Sequence, residues 1–395
     1  MADVLPTTRH HPFDPPAGLA ALGDRDTPHR LRFADGHEGW LVTSYALARA
    51  VLADPRFSAR SELRHSPVRR PRADDLGPGG RTPPGFFIGM DPPEHTRFRR
   101  LLAGEFTVRR MDRLRPRIEA IVGERLDAMA AAGPPVDLVP EFALPVPSLV
   151  ICELLGVPYA DRDRFQRDSA ALLRLDVTDE VATAAVRGLR EYLRDLVRRL
   201  RAEPGEDLLS ALAAGDRLTE DELVGIAFLL LVAGHETTAN MLALGTFAAL
   251  GEPDLLAAFR GSAEDVAAAV EELLRYLSIV HFGVSRTAKE DVELAGQRIR
   301  AGECVLAWLP AANRDPERFP DPDRPEPARA GAGHLAFGHG VHQCLGQQLA
   351  RMELRIGFTA LFARFPGLRL AVPAEEVPLR HDMGVYGVHR LPVTW

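Results

Sequence analysis

The chain has 395 residues, 46% of them hydrophobic and 26% charged, with a formal net charge of −7. That balance is ordinary for a globular protein with a large core, and its mild acidity gives no reason to expect nucleic acid as a partner. The three cysteines, Cys152, Cys304 and Cys344, are odd in number and widely spaced, which argues against a disulfide framework.

Residues 1–16 are polar and proline-rich, show no signal-peptide or anchor pattern, and are expected to form a flexible terminus. No Pro/Gly/Ser linker and no fixed-period repeat follows, so a single domain over residues 1–395 is expected. Trp40 to Thr43 reads as a short strand and Tyr45 to Leu52 as an amphipathic helix. From Ser58 to Gly89 the chain is rich in Pro, Gly and Arg without period, which predicts a long, functional loop. Glu94 to about Leu250 is mostly helical, with apolar residues at threes and fours and breaks at Gly133-Pro134-Pro135, Gly156-Val157-Pro158 and Glu203-Pro204-Gly205. Thr219-x-x-Glu222 has the form of a capping box and opens a helix of about thirty residues. Its longest apolar run, Ile226 to Gly234, falls short of the roughly 18 residues that span a bilayer, so a soluble, cytoplasmic protein is expected.

Another helix is predicted over Ala263 to Leu277. Val292-Glu293-Leu294 and Ile299 to Leu309 read as strands joined through Ala295-Gly296, and Asn313 to Gly340 as an irregular meander. A helix follows Cys344, with Leu349, Met352, Ile356 and Ala360 on one face, and His381 to Trp395 reads as a β-hairpin. The fold class is therefore mainly α with a minor β part. Cys152, in an apolar helical stretch, and Cys304, in a strand, read as core fillers.

Arg97, Arg99, Arg100, Arg109, Arg110, Arg113, Arg115 and Arg117 face only Glu105 and Asp112, a local balance of +6. Such a patch would steer an acidic partner protein, or is a solvated helix face; the sequence favours neither.

One stretch is the most specific: Phe337-Gly338-His339-Gly340-Val341-His342-Gln343-Cys344-Leu345-Gly346. A cysteine after a glycine-rich loop and before a helix is presented at a helix N-terminus, where free N–H groups lower the thiol pKa and suit it to bind iron. Gly340 and Gly346 would let the backbone pass close to a flat cofactor, Phe337 would shield the sulfur, and His342 would reach a cofactor carboxylate. The long helix holds Ala233-Gly234-His235-Glu236-Thr237-Thr238, an acid and two threonines that need partners in a buried setting. It is not a zinc-protease helix, since Ala239 stands where the second histidine belongs, but a kinked core helix with threonine bonded to the preceding turn is an alternative. Glu272 and Arg275, i and i+3, lie in ion-pairing reach on one helix face. Gly331-Ala332-Gly333-His334-Leu335-Ala336 fits a loose dinucleotide fingerprint but follows a meander instead of a strand.

The spacing Phe337-x-x-Gly340-x-x-x-Cys344-x-Gly346 resembles the haem-binding signature of the cytochrome P450 family. That resemblance implies a triangular-prism fold with haem b between a long oxygen-binding helix and the cysteine-loop helix. It makes Cys344 the axial iron ligand, places Phe337, Gly338, Ala233 and Gly234 against the haem, and lets Gly234 open a groove for dioxygen. It gives Thr237 the oxygen-binding hydroxyl and Glu236 a proton relay from solvent. His95, Arg99, Arg286 and His342 match the family's haem-propionate positions, and Arg329 completes a structural network with Glu272 and Arg275. The implied activity is that of an actinomycete-type monooxygenase acting on a mid-sized hydrophobic natural product. Electrons would come from a ferredoxin and ferredoxin reductase, because no reductase-like segment is present, and a monomer is expected. Substrate contacts are expected from Phe86, Phe87, Leu173, Leu230, Ile279, Phe282 and Val385, with His281 and Tyr386 as polar handles. A peroxide-driven peroxygenase and a non-catalytic haem-thiolate sensor are the alternatives. The intact Glu236-Thr237 pair speaks against both.

Overall fold

The computed structural model describes the chain except residues 1–4, 6, 8, 17, 19–23, 74–78 and 330–332. Helices α1 (Tyr45–Ala53), α2 (Glu94–Ala103), α3 (Val108–Ala132), α4 (Pro145–Leu155), α5 (Arg162–Leu173), α6 (Asp179–Ala202), α7 (Leu208–Ala213), α8 (Glu220–Gly251), α9 (Pro253–Phe259), α10 (Ala263–Leu277), α11 (Leu309–Ala312) and α12 (Gln347–Arg364) carry most of it. Several starts are chemically marked: Ser44, Thr107, Thr178, Asp207, Thr219 and Ser262 each accept a first-turn N–H that would otherwise lack a partner. Thr219 and Glu222 form the reciprocal capping box expected from the sequence.

The strands are β1 (His29–Arg32), β2 (Glu38–Val42), β3 (Phe57–Ser58), β4 (Val136–Asp137), β5 (Val284–Ala288), β6 (Val292–Leu294), β7 (Gln297–Ile299), β8 (Cys304–Ala307), β9 (Arg369–Leu370) and β10 (Pro392–Thr394). One sheet runs β1-β2-β8-β5-β3, with only β2 and β8 parallel; β4-β10-β9 and β6-β7 are separate. The main apolar core joins α3, α4, α6, α8, α10 and α12, and two smaller clusters line the five-stranded sheet. By length and composition α8 qualifies as a membrane span, yet 72% of its most apolar window is buried inside the protein. Its apolar surface is satisfied by packing against α4, α6 and α12.

Four expectations are corrected. Residues 1–4, 6 and 8 of the terminus lie outside the described residues, but the rest packs down: Leu5 is buried, Arg9 lies 3.7 Å over the Tyr386 ring, and Phe13 meets Phe247 edge-on at 4.9 Å. The strand read over Ile299 to Leu309 is split, because the turn after Ile299 ends the β6–β7 hairpin and β8 joins the larger sheet. His381 to Trp395 is not a hairpin on itself; Leu379 bridges Val388, and β10 pairs with β4 and β9. Ile356 and Ala360 of α12 are only half-buried, since the helix is sandwiched and buries Leu354, Phe358, Leu361 and Phe362 besides Leu349 and Met352.

Candidate active site

Cys344 precedes α12 by three positions, and its N–H donates to the Phe337 carbonyl at 2.9 Å, closing residues 337–344 into a loop. Gly338 and Gly340 have φ of 70° and 73°, a region that side chains tolerate poorly. A Cβ on Gly340 would stand 2.5 Å from the Leu52 carbonyl, so its close approach is to α1. Gly346, at φ −83°, has open space around it. The approach to α1 is thus what requires glycine at position 340, while the space beside Gly346 leaves room for a flat cofactor. Behind the loop, Arg351 lies 4.6 Å over the Phe337 ring and grips Glu271 at 2.6 and 2.9 Å.

The Cys344 side chain is exposed although protein surrounds it, so it borders a recess, the slot. Burial pushes its pKa up, and the Gly346 N–H together with the charges of Arg99 and Arg351 offsets only part of that. Without a metal the thiol pKa is thus raised, not lowered as the helix N-terminus led us to expect. A coordinated metal ion would supply the ionisation, since it deprotonates a bound thiol.

A second group of the expected residues lies on α8. Nearly all of this helix from Leu223 to Ala249 is buried, yet Ala233 is exposed and Val232, Gly234 and Thr237 are half-buried. The helix is unbroken here. Thr237 Oγ1 donates to the Ala233 carbonyl at 2.8 Å, leaving its lone pairs for another partner. Gly234 does not open a groove: a Cβ there would stand 2.9 Å from Ile151 Cδ1, so glycine permits α4 to pack on α8. Glu236, 2% exposed, is held by Arg380 Nη1 at 3.0 Å and lies 3.5 Å from Asn240 Nδ2. Arg380 was not foreseen, and it holds the carboxylate that the resemblance made a proton relay.

Four residues far apart in sequence meet at one edge of the slot. The rings of His95 and His342 are 4.0 Å apart, Arg99 follows His95 by one turn of α2, and Arg286 is buried in β5. Burial and the charges of Arg286, His95, Arg99 and Arg64 push His342 down to about 2. Burial and Arg99 lower His95 to about 4, and its buried Nδ1 has no partner among the described residues. Arg64, in the motif-free loop after β3, joins this group unannounced. The nearest opposing charge, Asp91, is already engaged by Ser58 Oγ and the Ala59 N–H. Such a surplus of buried donors fits a dianionic group.

The slot is braced from behind by a buried network. Glu272 Oε1 and Oε2 take Arg275 at 2.7 and 2.8 Å, and Oε1 also takes the Glu326 N–H at 2.8 Å and Arg329 Nε at 3.2 Å. Arg275 Nη1 then reaches the Asn313 and Pro322 carbonyls, and Arg329 Nη1 the Pro320 carbonyl, which pins the meander to α10. Of the Gly331–Ala336 fingerprint, Gly331 and Ala332 lie outside the described residues.

The residues expected around a substrate divide in two. Phe86 and Leu173 are half-buried, and Phe87, Leu230, Ile279 and Val385 are buried at the margin of the main core. His281 and Tyr386 do not serve as polar handles. His281 is fully buried, stacked 4.3 Å from Phe282 and edge-on to Tyr386, whose hydroxyl donates to the Pro12 carbonyl at 2.8 Å. The N-terminal segment takes up the polar atom that the sequence left free. A separate cleft of about 770 Å³, between the 58–89 loop, α6 and the start of α8, contains none of the expected site residues.

The arginine patch also disperses. Arg97 pairs with Glu222, Arg110 with Glu105, Arg115 with Asp112 and Arg117 with Glu153, while Arg99 turns toward the slot. Arg100, Arg109 and Arg113 remain exposed without a carboxylate among the described residues.

A sulfur ligand, a small-residue helix face and a cationic edge together fit haem. Comparison with known proteins agrees. The family model described as cytochrome P450 matches residues 265–386. The chain is 54% identical to cytochrome P450 105C1 of a Streptomyces species, over 98% of this chain and 97% of that one. It is 46% identical to the vitamin D3 dihydroxylase of Streptomyces griseolus, over 100% and 97% of the two chains. The crystal structure of CYP105P1 in complex with filipin I superposes with a TM-score of 0.92 at 47% identity, covering 100% of this chain and 99% of the other. On the signature at Cys344 and this full-length likeness, the chain belongs to the cytochrome P450 family of haem-dependent monooxygenases.

Proposed function

We propose that the protein is a cytoplasmic haem b monooxygenase that inserts one atom of O2 into a mid-sized hydrophobic natural product, with electrons from a ferredoxin and its reductase. The observation that carries this reading is the exposed Cys344 thiol beside a cationic cluster, with Arg99 charged against it and the His95 and His342 rings 4.0 Å apart. Haem iron, when bound, supplies dioxygen activation. Cys344 would hold its iron through sulfur, and His95, Arg99, Arg286, His342 and Arg64 would hold the propionates. Thr237 presents an oxygen to the distal side and passes on a proton through its hydroxyl. Glu236 delivers protons to it, which requires the carboxylate to leave Arg380 first. The relative named for vitamin D3 and the CYP105P1 structure in complex with filipin I support a mid-sized hydrophobic substrate. Arg109 and Arg113, one turn apart on α3, are the dock for an acidic ferredoxin.

The test is turnover with NADPH, ferredoxin reductase and ferredoxin under ¹⁸O2, using a substrate identified by its spin-state shift. A single ¹⁸O in the product is expected, and turnover with peroxide alone would instead favour the peroxygenase. In the same system, Arg109→Glu with Arg113→Glu should slow ferredoxin-supported turnover about 10-fold at low salt. An unchanged rate would return the patch to plain solvated surface.

A further inference from the structure

Arg70 lies in the long loop before α2 and matches none of the motifs above. Its side chain, like that of Cys344, is exposed although much protein surrounds it. It therefore borders a recess. Its guanidinium carbon is 5.6 Å from the centre of the Phe282 ring. Its Nη1 and Nη2 lie 3.2 and 3.5 Å from where a Cβ on Gly384 would stand, with the Leu173 carbonyl 3.5 Å from the same point. Phe282, Leu173 and the 383–386 segment are the elements from which the substrate contacts were expected, and they are held together here: Gly384 N–H donates to Leu173 O at 2.7 Å and Tyr386 N–H to Ile279 O at 2.9 Å.

No carboxylate lies against Arg70 among the described residues; its one charged neighbour is Arg64, which repels it, and burial with that repulsion lowers its pKa to about 10. At that value it is still a cation at neutral pH. A guanidinium enclosed by protein without an anion is unfavourable, because its charge loses part of its hydration and gains no counter-charge. Arg64, Arg286, His95 and His342 form the propionate edge, and Arg70 does not figure among the charges that lower His342 or Arg286. It belongs to the pocket and not to that edge.

We propose that Arg70 binds an anionic group, a carboxylate, on the otherwise apolar substrate. This rests on reading the region of Leu173, Ile279, Phe282 and Val385 as the substrate site. The carboxylate takes the place in orienting the substrate that His281 and Tyr386 cannot fill. A planar guanidinium suits a carboxylate because two parallel N–H···O bonds fix its plane as well as its position.

The test titrates haem-loaded protein, by calorimetry and by the haem spin-state shift, with octanoate, decanoate and dodecanoate and with their methyl esters. Wild type should bind at least one acid about 10-fold or more tightly than its ester. In Arg70→Gln that preference should fall to about one-fold while ester affinity changes little, and Arg70→Lys should restore part of it. Gly384→Ala, which crowds the guanidinium without removing it, should weaken acids more than esters. The proposal is overturned if no acid in wild type exceeds its ester, or if the preference survives in Arg70→Gln. It is equally overturned if Arg70→Gln loses haem with the preference unchanged, which would make Arg70 a propionate ligand. The esters keep the two readings separate: a spin-state shift by esters without acid preference leaves the pocket standing and removes only Arg70.

Discussion

Thr237→Ala is expected to leave haem content and fold intact and to divert most of the reducing equivalents into hydrogen peroxide, lowering product formed per NADPH about 10-fold or more. Thr237 sits on the one stretch of α8 that is not buried by neighbouring helices, and its hydroxyl hydrogen is occupied by the Ala233 carbonyl. What it offers the slot is therefore an acceptor, which orders water or oxygen beside it and returns a proton only by exchanging the hydrogen bond to Ala233. Alanine removes that group without a packing penalty, because the site is open. Thr237→Ser, which keeps the hydroxyl, should keep most of the coupling. Unchanged coupling in the alanine variant would take Thr237 out of oxygen activation and leave it as a helix residue bonded to its own preceding turn.

The larger effect on stability is expected at Glu272. Its side chain and that of Arg275 are 3% and 2% exposed, and Glu272 accepts from two arginines and one backbone N–H. Glu272→Gln leaves Arg275 as an unpaired buried charge, and removing one partner of such a pair costs about 3–5 kcal/mol. Arg275 also carries the carbonyls of Asn313 and Pro322, so the loss is transmitted to the meander that precedes the cysteine loop. Urea unfolding should show that destabilisation, together with weaker haem retention. Arg329→Lys should cost less, since a lysine ammonium still reaches Glu272 while the carbonyl contacts and the exposed Glu326 carboxylate are lost. A Glu272→Gln variant within about 1 kcal/mol of wild type would mean that the network does not brace the slot.

The helical frame was legible because its signals are local: capping residues at Thr219 and Ser262 and apolar residues at helical spacing mark α8 and α10. The short strands β1, β3 and β5 were not, since two to five residues are too few to show a strand period, and β3 finds its partner β5 more than two hundred residues away. Motif spacing located the residues that meet at the slot, but not what each one touches. Gly234 and Gly340 read as making room for a cofactor, and the room goes to Ile151 and the Leu52 carbonyl. Tyr386 read as a free hydroxyl, and Pro12 accepts it from the other end of the chain. Arg64, Arg70 and Arg380 were invisible for the opposite reason. Among the chain's many arginines only tertiary structure shows which are enclosed, and none of the three stands in a pattern.

The central claim is that Cys344 binds haem iron as a thiolate, and the absorption spectrum of the reduced, carbon-monoxide-bound protein tests it most directly. Wild type should show the red-shifted Soret band of thiolate-ligated haem, and Cys344→His should lose that band while still carrying haem. A wild-type spectrum without the shift, or an unchanged shift in Cys344→His, would contradict the assignment.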